Sequence, residues 1–186
     1  MRPRVLLLPG LYDSGPDHWH SHWERADPTF LRVVQRDWTT PARHDWVQTL
    51  DNEIAAAGPE VILAAHSTAC ALVAFWSVET GGRVGGALLV GPSDTEAASY
   101  PHGPVGWQPM PLERLPFPTL VVASEDDEYV SLHRARTFAK AWGSQFRNIG
   151  RAGHINSASG LGDWPAGRTM LTELRDRTGS AEMSAR

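Results

Sequence analysis

The chain has 186 residues, and 21 acidic against 17 basic side chains leave it at about −4 with its histidines neutral. At roughly 150 residues per domain this is one domain, large enough to bury about 70% of the surface its unfolded chain exposes. Hydrophobic residues are 41% and charged residues 20%, a globular composition whose mildly acidic balance lacks the basic face that neutralises many phosphates, so nucleic acid is not an expected partner. The longest apolar run, residues 69–76, falls far short of the roughly 18 to 20 residues that span a bilayer, and no membrane association is expected. Cys70 is the only cysteine, so no intrachain disulfide can form, which suits a cytoplasmic protein.

In chain order, residues 4–8 read as a first strand buried on both faces, closed by Pro9-Gly10 before the run reaches the length of a signal peptide. Asp17 is placed to cap a helix over residues 18–24, and residues 31–34 form a second strand. Trp46, Val47, Leu50 and Ile54 then recur at helical spacing until Gly58-Pro59 stops the helix. Residues 61–65 supply a third strand, residues 68–79 a buried helix ended by Gly81-Gly82, and residues 87–90 a fourth strand. A proline-rich stretch over residues 94–116 exceeds the usual loop length and is expected to be functional. A strand over residues 119–123, a helix over 132–142, a strand over 146–149 and a helix over 167–175 complete the pattern. Residues 1–178 are thus expected to form one domain, with 179–186 a flexible tail. Strands alternating with helices predict an α/β domain with a mostly parallel sheet, whose chemistry sits at the carboxyl ends of the strands.

At the end of the third strand stands Ala65-His66-Ser67-Thr68-Ala69, a serine at a strand-to-helix turn. This is the layout of a nucleophile elbow, with alanines where G-x-S-x-G has glycines. A serine needs a base, and the base needs a group that fixes its tautomer. The fifth strand runs directly into Ser124-Glu125-Asp126-Asp127, and the last strand is followed by Gly153-His154. Three strand ends thus deliver serine, acid and histidine in the order of the α/β-hydrolases. Asp127 is the expected acid, with Asp126 the competing candidate, because Tyr129-Val130 follows to anchor a returning loop. An oxyanion would meet two backbone N–H groups, those of Thr68 at the helix start and of Leu11 after Pro9-Gly10.

With those residues in place, the sequence resembles the small serine hydrolases of the retinoblastoma-binding protein nine and YdeN type. The match runs through Leu7-Leu8-Pro9-Gly10, Asp17-His18-Trp19, Trp23-Glu24, Asp37-Trp38, Trp46 with Leu50, Ala65-His66-Ser67, Asp126-Asp127 with Tyr129-Val130, and Gly153-His154-Ile155-Asn156. The resemblance implies a reduced α/β-hydrolase fold, a mostly parallel sheet with helices on both faces and no large cap domain. It also implies Ser67, Asp127 and His154 as a catalytic triad, acting on a small-molecule substrate without a cofactor. Relatives commonly carry Leu-Gly or Ser-Gly after the serine, where this chain has Thr68-Ala69. The expected activity is hydrolysis of a small carboxylic ester, with thioester and amide open. The alternative is a protein-interaction module on the same fold, against which the intact serine, acid and histidine argue.

His18, His20 and His22 have the look of a metal cluster but lack the glutamate of H-E-x-x-H, and they read as surface or pocket-wall histidines with no metal. His66 is expected to pack beside the turn, and Cys70 to be an inert buried thiol. Most of the eight tryptophans are expected in the core, with Trp19, Trp107 and Met110 as candidates for the wall of a substrate pocket. Pro101, Pro104, Pro109, Pro111 and Pro116, in the segment between the fourth and fifth strands, argue against a helical lid and hence for compact acyl groups.

Overall fold

The computed structural model describes the backbone of residues 4–183 and the side chains through residue 177. Among these residues the strands β1 (Val5–Leu8), β2 (Phe30–Arg32), β3 (Ile62–His66), β4 (Gly86–Val90), β5 (Thr119–Ala123) and β6 (Gln145–Asn148) form one sheet in the order β2-β1-β3-β4-β5-β6. Every pairing is parallel. Parallel neighbours need crossovers, and helices supply most of them: α1 (Trp19–Ala26), α2 (Arg43–Ala57), α3 (Thr68–Thr80) and α4 (Leu132–Trp142), with α5 (Pro165–Met183) closing the chain.

The alternation of side chains along each strand sorts the core into two layers. Leu6 and Leu8 of β1, Leu63 and Ala65 of β3, and Val121 and Ala123 of β5 pack with Trp46 and Leu50 of α2, most of α3, and Phe138 and Trp142 of α4. Val5, Leu7, Ile62, Ala64, Leu88, Val90 and Val122 face the other way, onto Trp19 and Trp23 of α1 and Leu171 and Leu174 of α5. Helices therefore cover both faces of a mostly parallel sheet. The central strands β1, β3, β4 and β5 are buried at nearly every position, which is why they read as unbroken apolar runs.

Several boundaries differ from the sequence expectation for identifiable reasons. The first helix is capped not by Asp17 but by His18, whose Nδ1 accepts from His20 N–H at 3.1 Å. An imidazole acceptor does there what a carboxylate usually does. The last helix runs from Pro165 to Met183 rather than over 167–175, its start set by Pro165 at the first helical position. It overlaps the segment expected as a tail, of which residues 184–186 lie outside the described residues.

Between β4 and β5 the long proline-rich segment contains no helix and no strand longer than one isolated bridge, Ala42 with Val105. It folds back as ordered loop over the α2–α3 side of the sheet, where Trp107 packs edge-on against Trp46 and Phe75.

Candidate active site

The turn from β3 into α3 holds Ser67 at φ 61° and ψ −129°, a backbone conformation that costs a side-chain-bearing residue about 1–3 kcal/mol. The strain is held by its surroundings: Ser67 N–H donates to Val90 O at 3.0 Å, and Ala65 and Ala69 are fully buried. Gly10, just past β1, passes so close that a Cβ there would lie 2.7 Å from Ser67 Cβ and 3.0 Å from His66 O. Only glycine fits.

The turn lifts Ser67 Oγ to 2.9 Å from His154 Nε2. The other ring nitrogen, Nδ1, lies 2.9 Å from both carboxylate oxygens of Asp127. A carboxylate only accepts, so Nδ1 carries the proton and Nε2 is the free base facing Ser67. The Asp127 side chain is completely enclosed, that of His154 is 7% exposed, and Tyr129 N–H donates to Asp127 Oδ1 at 2.8 Å. Asp126 points elsewhere: its Oδ1 accepts from Gly153 N–H at 2.9 Å and from Ser124 Oγ at 2.8 Å. The Gly153 bond, followed by that from Ser124, holds the Asp126 carboxyl below the usual carboxylate range.

Leu11 and Thr68 both line the cleft beside Ser67. In the loop after β1, Tyr12 N–H is taken by Trp38 O, Asp13 N–H by Gly10 O and Ser14 N–H by its neighbour Asp13 Oδ1. Leu11 N–H is left as the one of that group with no hydrogen-bond partner among the described residues. Thr68 N–H belongs to the first turn of α3, where no carbonyl lies four residues back in the helix to receive it.

The cleft over Ser67 encloses about 570 Å³. Its rim includes Tyr12, Tyr100 and Tyr129, all three tyrosines of the chain, together with Ser93 and Asn156. Trp19, Trp107 and Met110 do not line it, which corrects the expectation for the pocket wall. Trp107 and Met110 are buried in the core on the α2–α3 side, with Trp107 Nε1–H donating to Pro41 O at 3.1 Å. From the same loop region it is Ser99, Tyr100 and Pro101 that reach the cleft. Trp19 lies in the opposite core layer between Trp23 and Trp164, and its Nε1–H donates to Ile155 O at 2.9 Å. It holds the His154 loop from behind instead of meeting substrate.

Of the three histidines at the start of α1, His18 stands at the pocket wall as expected and His22 is half-buried, while His20 departs from the surface or pocket-wall reading. His18 lines the cleft and His20 is fully buried, its Nε2–H donating to Ala64 O at 3.0 Å. His66 does pack beside the turn, and its Nε2–H donates to His154 O at 2.8 Å. No group of three or more metal-binding side chains is assembled among the described residues. Cys70 is buried, and burial pushes its thiol well above the ordinary range. Sequence reading passed over Ser93, whose Oγ lies 2.9 Å from Ser67 Oγ, and Ser124, whose Oγ accepts from Ala152 N–H at 2.9 Å. A serine beside a glycine or an acidic turn carries no signal of such a contact.

Burial lowers the pKa of His18 to about 3, with the charges of Arg32 and His154 contributing next. Burial likewise holds His20 and His66 well below 6.5. In the unfolded chain all three take up protons near pH 6.5, and in the folded chain they do not. Their contribution to stability is therefore complete above pH 6.5 and is lost as pH falls below it, by up to about 1.4 kcal/mol per pH unit for each histidine. Urea unfolding between pH 7.5 and 4.5 should show stability declining as three protons bind on unfolding. In His18→Asn, which keeps a capping oxygen for α1, the slope should drop by about one proton.

The sequence matches the model of a family described as serine hydrolase over residues 5–173. Comparison with the curated proteins finds no match. Among solved structures, a protein described as a YdeN-like hydrolase from Pectobacterium atrosepticum superposes with a TM-score of 0.83 at 32% identity, covering 94% of this chain and 91% of that one. The ydeN gene product of Bacillus subtilis aligns with a TM-score of 0.70 at 19% identity, covering 92% and 97%. The carboxylesterase CesB of the same organism aligns at 0.55 and 16% identity, covering 82% and 77%, which is a likeness of fold alone. The chain therefore belongs to the serine hydrolase family, as a YdeN-like member on an α/β-hydrolase fold without a large cap.

Proposed function

We propose that this hydrolase cleaves a small carboxylic ester through an acyl-enzyme on Ser67. The observation that carries the reading is the unbroken relay from Ser67 Oγ through His154 to Asp127, with every link at 2.9 Å. As Ser67 Oγ attacks the carbonyl carbon, its proton passes to His154 Nε2, and Asp127 stabilises the resulting imidazolium through Nδ1–H. The carbonyl electrons move onto oxygen, which Leu11 N–H and Thr68 N–H receive. Collapse expels the alcohol, which takes the proton from His154. Water activated by the same imidazole then releases the acid. Thioester and amide cleavage follow the same course with a different leaving group, and no step draws on a metal or cofactor.

Labelling with a fluorophosphonate tests for an activated serine without the natural substrate. Wild-type protein should be labelled and should hydrolyse p-nitrophenyl acetate, whereas Ser67→Ala and His154→Ala should each fall to near background with their unfolding temperature largely kept. A His154→Ala protein with half the wild-type turnover would remove that residue from the mechanism.

Asp127→Asn leaves His154 in the wrong tautomer, and kcat should fall by roughly three to four orders of magnitude. Asp126→Asn retains an acceptor for Gly153 N–H and should cost less than about tenfold. The reverse order of the two losses would transfer the acid role to Asp126.

The loop that covers the cleft from residues 99–101 adds no lid domain, and the cleft holds about 570 Å³. Burial of each further methylene contributes about 0.8 kcal/mol only where an apolar wall receives it. Across p-nitrophenyl esters from acetate to palmitate, kcat/KM should therefore level off or decline beyond about eight carbons. A steady rise to palmitate would mean a long apolar channel.

A further inference from the structure

Ser93 is a buried hydroxyl in the cleft that touches Ser67 Oγ and that the acyl-enzyme route above leaves unused. It follows β4 through Gly91-Pro92, is 3% exposed, and lines the cleft with its Oγ 2.9 Å from Ser67 Oγ. Among the described residues Ser67 is its only hydrogen-bond partner, so the hydroxyl is not occupied in holding a turn.

The direction of that bond follows from counting protons. Asp127 accepts the proton on His154 Nδ1, so in the neutral imidazole, the form that serves as base, Nε2 has none and accepts from Ser67. The single hydroxyl proton of Ser67 is then committed. In the contact between the two serines the donor is Ser93, and Ser67 Oγ gives one hydrogen bond while receiving another.

Two further features hold this geometry. Ser67 N–H is bonded to Val90 O and Gly91 N–H to Val122 O, which ties the elbow and the turn after β4 to the same stretch of sheet. Gly91 has φ +55°, and a Cβ there would lie 3.4 Å from Asp127 Oδ2 and 3.5 Å from His154 Nδ1. The turn that delivers Ser93 thus passes beside the relay, one side-chain atom away from Asp127 and His154.

We propose that Ser93 is a fourth catalytic side chain, a hydroxyl that stabilises the negative charge gathering on Ser67 Oγ during attack. The proposal rests on Ser67 being the nucleophile. In the step concerned, the O–H bond of Ser67 breaks toward His154 Nε2, the bond from Oγ to the carbonyl carbon forms, and the carbonyl electron pair moves to oxygen. Ser93 keeps its own proton throughout. Its hydrogen bond to a neutral hydroxyl is weak, and one to an oxygen becoming anionic is about twice as strong. The difference appears in the transition state and so acts on rate. The same donor faces Ser67 Oγ again when deacylation expels it.

The test compares Ser93→Ala, Ser93→Thr and Ser93→Val, the last two alike in shape and differing in one hydroxyl. The readouts are the rate of fluorophosphonate labelling and the kcat and KM for p-nitrophenyl acetate, on proteins first checked for folding by circular dichroism. Ala and Val should lose about ten- to hundredfold in labelling rate and in kcat with KM little changed, while Thr stays within about threefold of wild type. Ala within about twofold of wild type, or Thr as slow as Val, overturns the proposal and leaves the nucleophile assignment standing. Wild-type protein inert to both reagents overturns that assignment and the proposal with it.

Discussion

Ser67 occupies a backbone conformation that side chains avoid, and the space its Cβ requires exists because residue 10 has no Cβ of its own. The rest of the site is arranged around that contact. If residue 10 carried any side chain, the loop carrying Leu11 would have to move away from Ser67. The alanines at 65 and 69 are fully buried in the turn. The tightest approach falls at Gly10, in the loop just past the neighbouring strand β1, and not at the positions that define the G-x-S-x-G pattern. This explains how an elbow flanked by alanine on both sides keeps the geometry of one flanked by glycine.

His154 presents the opposite problem, since it sits in a loop with no sheet ladder to hold it. Its position is fixed by hydrogen bonds from four directions: Trp19 to Ile155 O, His66 to His154 O, Asp126 to Gly153 N–H and Ser124 to Ala152 N–H. These groups come from α1, from β3 and from the turn after β5. A displacement of the imidazole by 1 Å would forfeit both its bonds, and catalytic geometry of this kind loses rate steeply with misplacement. Trp19 and Asp126, candidates for substrate wall or acid in the sequence, thus hold the loop that bears His154, the proposed base.

The fold was legible to the extent that burial on both faces leaves a mark in sequence. The bounds of β5 and α4 coincide with the expected ones, because β5 is an apolar run that starts after Pro118 and α4 an amphipathic run that Gly143 stops. Serine, acid and histidine were legible because each follows a strand, and strand ends in a parallel sheet converge on one edge. Trp107 and Met110 were misread for the converse reason. Their burial depends on Trp46 and Phe75, which stand 61 and 32 residues before Trp107, and nothing local to a loop reports such partners. Ser93 lay hidden in Gly91-Pro92-Ser93-Asp94, a string that reads as a turn and nothing more. Apolar bulk marks a pocket wall in sequence, whereas this cleft is edged by tyrosine rings with hydroxyls, which carry no such mark.

The cluster of His18, His20 and His66 beside the relay has a physical rationale that apolar residues would not satisfy. His20 Nδ1 is bonded to Ser14 Oγ and its Nε2 to Ala64 O, His18 Nδ1 caps α1, and His66 Nε2 holds His154 O, so each ring has a settled tautomer. Each supplies a directed polar contact that leucine or phenylalanine could not. Burial keeps all three neutral, and that neutrality matters for the reaction. The His66 and His154 rings are 4.8 Å apart, and a second positive charge at that distance would oppose the imidazolium of His154 by about 3 kcal/mol at an effective dielectric of 20. Burial of neutral imidazoles therefore does two things at once: it orients the loop that bears the base, and it leaves the base able to take a proton.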